Sequence, residues 1–258
     1  MIEKTTGIVL RVSPFSRTSH IVTWFTSDFG KVTTLVKGAQ RVKSAFLGQY
    51  DLFYTCELLF YSRDRNGIHI IRECSPIETR SQLRGNWRSA VCASYFCDLV
   101  SRMTPPHSPS PQFFRLLEAS LSFLCANGTT RSLVSWFELR STGIAGFSPR
   151  LSGCTRCGAA ATTQGDFRFS CDAGGIVCPS CAVTNPAQSA PLDAGVLSTM
   201  QAWQTADRPA DVVPMKCLPG RLVDIERILG MFLDYHVQAL PAGRSIALEL
   251  LPLGNGAA

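Results

Sequence analysis

The chain has 258 residues, 45% apolar and 17% charged, so it can bury a substantial core and is too hydrophobic to be disordered. Its formal net charge is only +6, but the excess sits early: residues 1–80 carry 11 Lys/Arg against 7 Asp/Glu and residues 81–153 carry 7 against 3, whereas residues 182–258 carry 5 against 7. No run approaches the roughly 18 apolar residues of a membrane helix. Met1–Val12 has no long apolar stretch ahead of a cleavage site, so the expectation is a cytoplasmic protein with no membrane partner.

Residues 5–75 read as β. The runs Gly7–Val12, His20–Thr26, Val32–Val36, Leu52–Phe60 and Ile68–Arg72 are short and rich in β-branched and aromatic residues. Ser13-Pro14, Asp28-Phe29-Gly30, Gly38 and Arg65-Asn66-Gly67 punctuate them, and the Asn-Gly pair is a hairpin signal. Five such strands fit a small barrel, an OB-fold or its SH3-like rival. After Pro76 the period becomes helical. Leu83, Trp87, Val91, Tyr95 and Leu99 form one stripe over 78–102. The proline-rich stretch Thr104–Pro111 is a loop, and Pro111 opens a helix that ends near Asn127-Gly128. Residues 130–142, 192–206 and 220–239 give three further helices, and there is no internal repeat.

Between them, residues 146–191 are rich in Cys, Gly, Ser and Pro. Cys154-Thr-Arg-Cys157, twenty residues, then Cys178-Pro-Ser-Cys181 is a C-x2-C-x20-C-x2-C pattern. Two such knuckles supply four soft ligands in a tetrahedron, which suits one structural Zn2+ with no open position for catalysis. Cys171 is a fifth thiol that could replace a ligand, and a C-x-x-C can also be a redox pair. Eleven cysteines, an odd number, favour thiols and metal over a disulfide framework. Cys56, Cys74, Cys92, Cys97, Cys125 and Cys217 read as small buried hydrophobes. A zinc deaminase is disfavoured, because His20, His69, His107 and His236 are followed two residues later by Val22, Ile71, Pro109 and Gln238 rather than Glu.

The second signal is cationic. Lys31, Lys37, Arg41 and Lys43 fall between 31 and 44 with no acid, and each can meet a phosphate; Arg11 and Arg17 could extend the patch. Trp24, Phe25, Phe29, Phe46, Tyr50, Phe53 and Tyr54 lie nearby, and cations with rings on a barrel face hold single strands. The plainer alternatives are a solvated surface and aromatics that face the core. No G-x-x-x-x-G-K-[ST] loop and no convincing carboxylate cluster for a two-metal nuclease occur, so no catalytic residue is assigned.

Together these pieces resemble the RecO family of bacterial recombination mediators. The carrying residues are Gly7–Leu10, Ser19–Thr23, Thr26–Lys31, Val36–Ser44 and Gly174–Cys181. The resemblance runs from about residue 2 to about 240. It implies an α+β multidomain chain: an OB-fold β-barrel over 1–77, then an α-helical domain (78–148 and 191–245) with a four-cysteine zinc module inserted at 149–190, and a tail over 246–258. It also implies binding to single- and double-stranded DNA, annealing of complementary strands, and work with RecR to help RecA replace single-strand-binding protein, in the cytoplasm at the nucleoid. The family's basic segment maps onto Lys37, Arg41 and Lys43, with Gln40 standing where a cation is common. A zinc-ribbon RNA-binding or ribosome-associated protein is the competing reading, and a redox switch a third.

Overall fold

The computed structural model describes residues 1–63, 67–161, 166–182, 189–237 and 240–252. The Arg65-Asn66 turn and the segment 253–258 lie outside them. The chain divides into two compact units, Met1–Asn127 and Gly128–Ala258.

In the first unit, β1 (Ile2–Ser16), β2 (Ser19–Thr26), β3 (Gly30–Val36), β4 (Thr55–Tyr61) and β5 (His69–Glu78) close into a barrel of order β1-β2-β3-β5-β4. All pairings are antiparallel except β3 with β5, the arrangement of an OB-fold rather than of its rival. Alternation decides the interior: along β3, Gly30, Val32, Thr34 and Val36 are buried while Lys31, Thr33 and Leu35 are half-buried. Val9, Val22, Trp24, Val32, Val36, Tyr54, Leu58, Phe60 and Ile71 fill the core, and the Trp24 indole N–H donates to Thr34 Oγ1 at 2.8 Å. The fourth strand starts at Thr55 and not at Leu52, because Phe53 adopts a left-handed φ of 70° that interrupts extended chain. The guanidinium of Arg80 is fully buried and donates to Phe53 O at 2.7 Å and to Thr55 Oγ1 at 2.8 Å, which fixes that kink from the far end of β5.

Two helices complete this unit. The stripe expected from residue 78 resolves into a short 3₁₀ turn, Ser81–Arg84, and helix α1 (Trp87–Met103). Leu83 is buried and so joins the apolar stripe, but Gly85-Asn86 breaks the helix, and Asn86 caps the new one by accepting from Ser89 N at 3.1 Å. Helix α2 (Pro111–Asn127) ends as its flanking residues dictate, with Gly128 at φ 74°. Both helices are grouped with the barrel rather than with the later helices: Phe114 stacks on Phe25 at 6.5 Å, and Lys31 O accepts from His107 N at 3.2 Å. Helices α1 and α2 thus fall in the unit Met1–Asn127, and the later helices in Gly128–Ala258.

The second unit holds α3 (Arg131–Ile144), a sheet of β6 (Arg168–Ser170), β7 (Gly175–Val177) and β8 (Ser189–Pro191) in the order β7-β6-β8, then α4 (Ala194–Thr205), α5 (Pro209–Val212), α6 (Pro219–His236) and α7 (Gly243–Glu249). Thr130 and Asp193 cap α3 and α4 through their side-chain oxygens. Trp136, Phe137, Met200, Trp203, Ile228 and Phe232 make the core. Helix α7 occupies the start of the stretch read from sequence as a tail; Arg244 on it reaches the buried Glu138 carboxylate with two bonds of 2.8 and 3.0 Å. That buried, bidentate pair anchors a helix whose own apolar pattern is too short to announce it.

Glu226 lies beside this pair, 3.5 Å from Arg131. Burial pushes its carboxyl up to about 7, against the pull of Arg131 and Arg244. An unfolded glutamate titrates near 4.5, so between those values the folded chain holds a proton that the unfolded chain has lost. This contribution is complete below pH 4.5 and disappears as pH rises through 7. Unfolding free energy from this group should fall by about 2 kcal/mol across that window. In denaturant titrations at stepped pH, Glu226→Gln should flatten the fall; an identical pH profile in the variant would contradict it.

Candidate metal centre and nucleic-acid interface

The cysteine module is assembled by turns that only small residues permit. In the first knuckle Cys154 N donates to Ala159 O at 2.8 Å and Gly158 N to Cys154 O at 2.9 Å, with Gly158 at φ 77°. In the second, β7 delivers Cys178, and Pro179–Cys181 form one 3₁₀ turn closed by Cys181 N to Cys178 O at 3.0 Å. A bond from Thr155 N to Ile176 O, 2.8 Å, brings the two knuckles together. The whole is docked within its unit: Phe169 meets Phe232 edge-on at 5.4 Å, and Gln201 donates to Leu151 O at 2.8 Å.

As a result the sulfurs of Cys154, Cys157, Cys178 and Cys181 all lie within 4.8 Å of one another, with Cys157 and Cys178 3.7 Å apart. Burial opposes ionisation of Cys154, but the N–H groups of Cys157, Cys178 and Arg156 converge on its sulfur and carry its pKa below the usual thiol value. Cys181 is displaced upward by the neighbouring thiols. Four sulfurs so close cannot all be thiolates unless a cation sits among them. The arrangement can therefore hold a metal ion. Cys171 is buried outside this group, and burial, with Asp172 beside it, pushes its thiol up to about 11. Cys56, Cys74, Cys92 and Cys97 are buried as expected, while Cys125 and Cys217 are only half-buried.

Within the cysteine module Gly175 is tightly constrained: it forms an isolated backbone bridge with Arg150, and an added Cβ would stand 2.3 Å from Arg150 O. Gly175→Ala should open this bridge, destabilising the protein by about 1–3 kcal/mol in chemical denaturation. Unchanged stability would contradict the close approach.

The cationic segment follows β3. Residues 37–44 form successive turns, with Arg41 N donating to Gly38 O and Ser44 N to Arg41 O. The turns lie against the tip of the β1–β2 hairpin: Gln40 N donates to Thr18 O at 3.1 Å, Gly38 N reaches Ser19 Oγ at 3.3 Å, and the Gln40 amide meets His20 Nε2 at 2.8 Å. Gln40, at the position where a cation was expected, thus serves to dock the loop. Lys37, Arg41 and Lys43 are exposed, as is Arg17 on the adjoining hairpin, and none of the four forms an ion pair among the described residues.

Lys31 stands apart. It lies at the opposite end of β3, roughly 20 Å from Lys37 at about 3.3 Å per residue. Its ammonium donates to Ser101 O, and burial lowers its pKa. The aromatics are mostly interior: Trp24, Phe25, Phe53 and Tyr54 are buried, and Phe29, Phe46 and Tyr50 pack against the barrel core. They are not a stacking face. No helix among the described residues is long and apolar enough to cross a membrane.

An OB-like barrel whose cations at one end form no ion pair among the described residues belongs to a class of folds that bind nucleic acids, and comparison with known sequences narrows it. The model for "Recombination protein O N terminal" matches residues 1–80 and that for "Recombination protein O C terminal" matches residues 84–245. A "DNA repair protein RecO" of Anaeromyxobacter dehalogenans (strain 2CP-C) is 30% identical over 254 residues, 98% of each chain. One of Syntrophus aciditrophicus (strain SB) is 30% identical over 198 residues, 76% of each. One of Listeria monocytogenes (strain HCC23) is 28% identical over 70% of this chain and 69% of its own. The chain belongs to the RecO family of DNA repair and recombination proteins.

Proposed function

We propose that this chain is a non-enzymatic recombination mediator that binds single- and double-stranded DNA, anneals complementary strands and, with RecR, helps RecA displace single-strand-binding protein, in the cytoplasm at the nucleoid. The supporting observation is the docking of the Lys37–Ser44 turns on the hairpin tip, which gathers Arg17, Lys37, Arg41 and Lys43 at one end of the barrel. Two strands repel through their phosphates, and a cationic surface that holds one lowers the barrier for the second. Lys31, tied to Ser101, is assigned a scaffolding part in this proposal. An annealing assay with purified protein, run beside competition of labelled single-stranded DNA by RNA of equal length, tests the reading. Annealing acceleration with DNA preferred supports it; RNA preference would favour the ribosome-associated alternative.

The four cysteines are proposed to hold one structural Zn2+. A tetrahedral ion with bonds of about 2.3 Å places its sulfurs about 3.8 Å apart, close to the 3.7 Å between Cys157 and Cys178. The ion would offset half of the charge of the four thiolates and lock the two knuckles, leaving no coordination position open for chemistry.

A further inference from the structure

Among the described residues, the aromatics near the cationic turns are buried or half-buried except for Phe15. Phe15 is 59% accessible. It lies two residues before Arg17 on the hairpin that the Lys37–Ser44 turns pack against. Its placement has a backbone cause. Pro14 pairs with His20 and Ser16 with Ser19, so Phe15 is an extra residue on β1 opposite no partner on β2. Arg11 is exposed while Val12 packs on the core, so Phe15 shares the outward face of Arg11 and Ser13, and the bulge leaves it with no paired residue across the strand. The ring shares this hairpin with Arg17 and the docked turns carry Lys37, Arg41 and Lys43, so a ligand with an anionic backbone and flat apolar faces matches both features.

We propose that Phe15 is the base-stacking element of the DNA site, receiving an unpaired nucleobase while Arg17, Lys37, Arg41 and Lys43 hold the flanking phosphates. The inference rests on the DNA-binding reading above and adds strand selectivity to it. Phosphate contacts alone do not sense whether a base is paired, whereas a stacking ring engages only bases that are free of a partner. A strand so held keeps its bases displayed for pairing.

The test is equilibrium binding to a labelled oligothymidine, to an abasic strand of the same length, and to a blunt duplex, across a salt series. Phe15→Ala should bind oligothymidine about 5- to 50-fold more weakly, with its salt slope, its affinity for the abasic strand and its affinity for duplex unchanged. Phe15→Trp should restore binding, and its added indole emission should be quenched by oligothymidine but not by the abasic strand. Equal losses on both strands, no loss at all, or an unquenched indole would overturn the proposal, the second outcome pointing to a protein partner for this ring. Failure of the DNA-binding reading looks different: the unaltered protein would then ignore all three oligonucleotides.

Discussion

Cys178→Ala should strip the metal from the protein and destabilise the second unit by several kcal/mol. Cys178 accepts its place from β7, lies 3.7 Å from Cys157, and sends its own N–H to Cys154 sulfur at 3.4 Å, so it touches both knuckles. Coupled metal binding and folding at structural zinc sites is worth on the order of 10 kcal/mol. Three remaining thiolates would bind more weakly, and the knuckles would lose the cation that lets them approach. At roughly 2–4 °C per kcal/mol for a chain of this size, the melting temperature should fall by about 10 °C or more. Chelation of the unaltered protein should move it the same way. Cys171→Ala is the control: it alters a buried thiol outside the group and should leave one metal per chain. Equal metal content and equal melting in Cys178→Ala would show that the four sulfurs do not form the centre. DNA affinity should move far less than stability, because the proposed contacts belong to the first unit.

The joint variant Lys37→Ala/Arg41→Ala/Lys43→Ala should weaken single-strand binding by about 100-fold at moderate salt, taking about 1 kcal/mol for each cation at an anionic surface. Each lost phosphate contact removes roughly 0.7 from the slope of log affinity against log salt, so the slope should flatten by about 2. All three side chains are exposed and make no ion pair among the described residues, so folding should survive. Lys31→Ala offers the contrast. Its ammonium is held by Ser101 O, so its loss should lower stability while leaving the slope alone. A slope that falls with Lys31 and not with the triple change would invert the assignment.

The contrast also marks what was legible in the sequence. The knuckles could be read because zinc-type geometry is written into short local spacings. Helix α2 could be read because Pro111 and Gly128 fix its two ends chemically. The cation run was visible, but its tertiary context was not: nothing near Lys31 announces Ser101, seventy residues away. The barrel aromatics could not be assigned to a face, because bulges at Leu10 and Phe15 shift the strand phase that such an assignment needs. For the same reason Phe15, absent from the sequence-derived site, emerged only from the register. Helix α1 began late because a buried Leu83 in a 3₁₀ turn continues the apolar stripe across a break made by Gly85-Asn86. Helix α7 was missed because its anchor is the distant Glu138 rather than its own periodicity.

Grip on polynucleotide by the cationic end of the barrel is tested most directly by titrating purified, metal-loaded protein into a labelled single strand across a salt series. Four phosphate contacts, from Arg17, Lys37, Arg41 and Lys43, predict tight binding in dilute buffer with a log–log slope of roughly −3. No binding at low salt, or binding indifferent to salt, would contradict it.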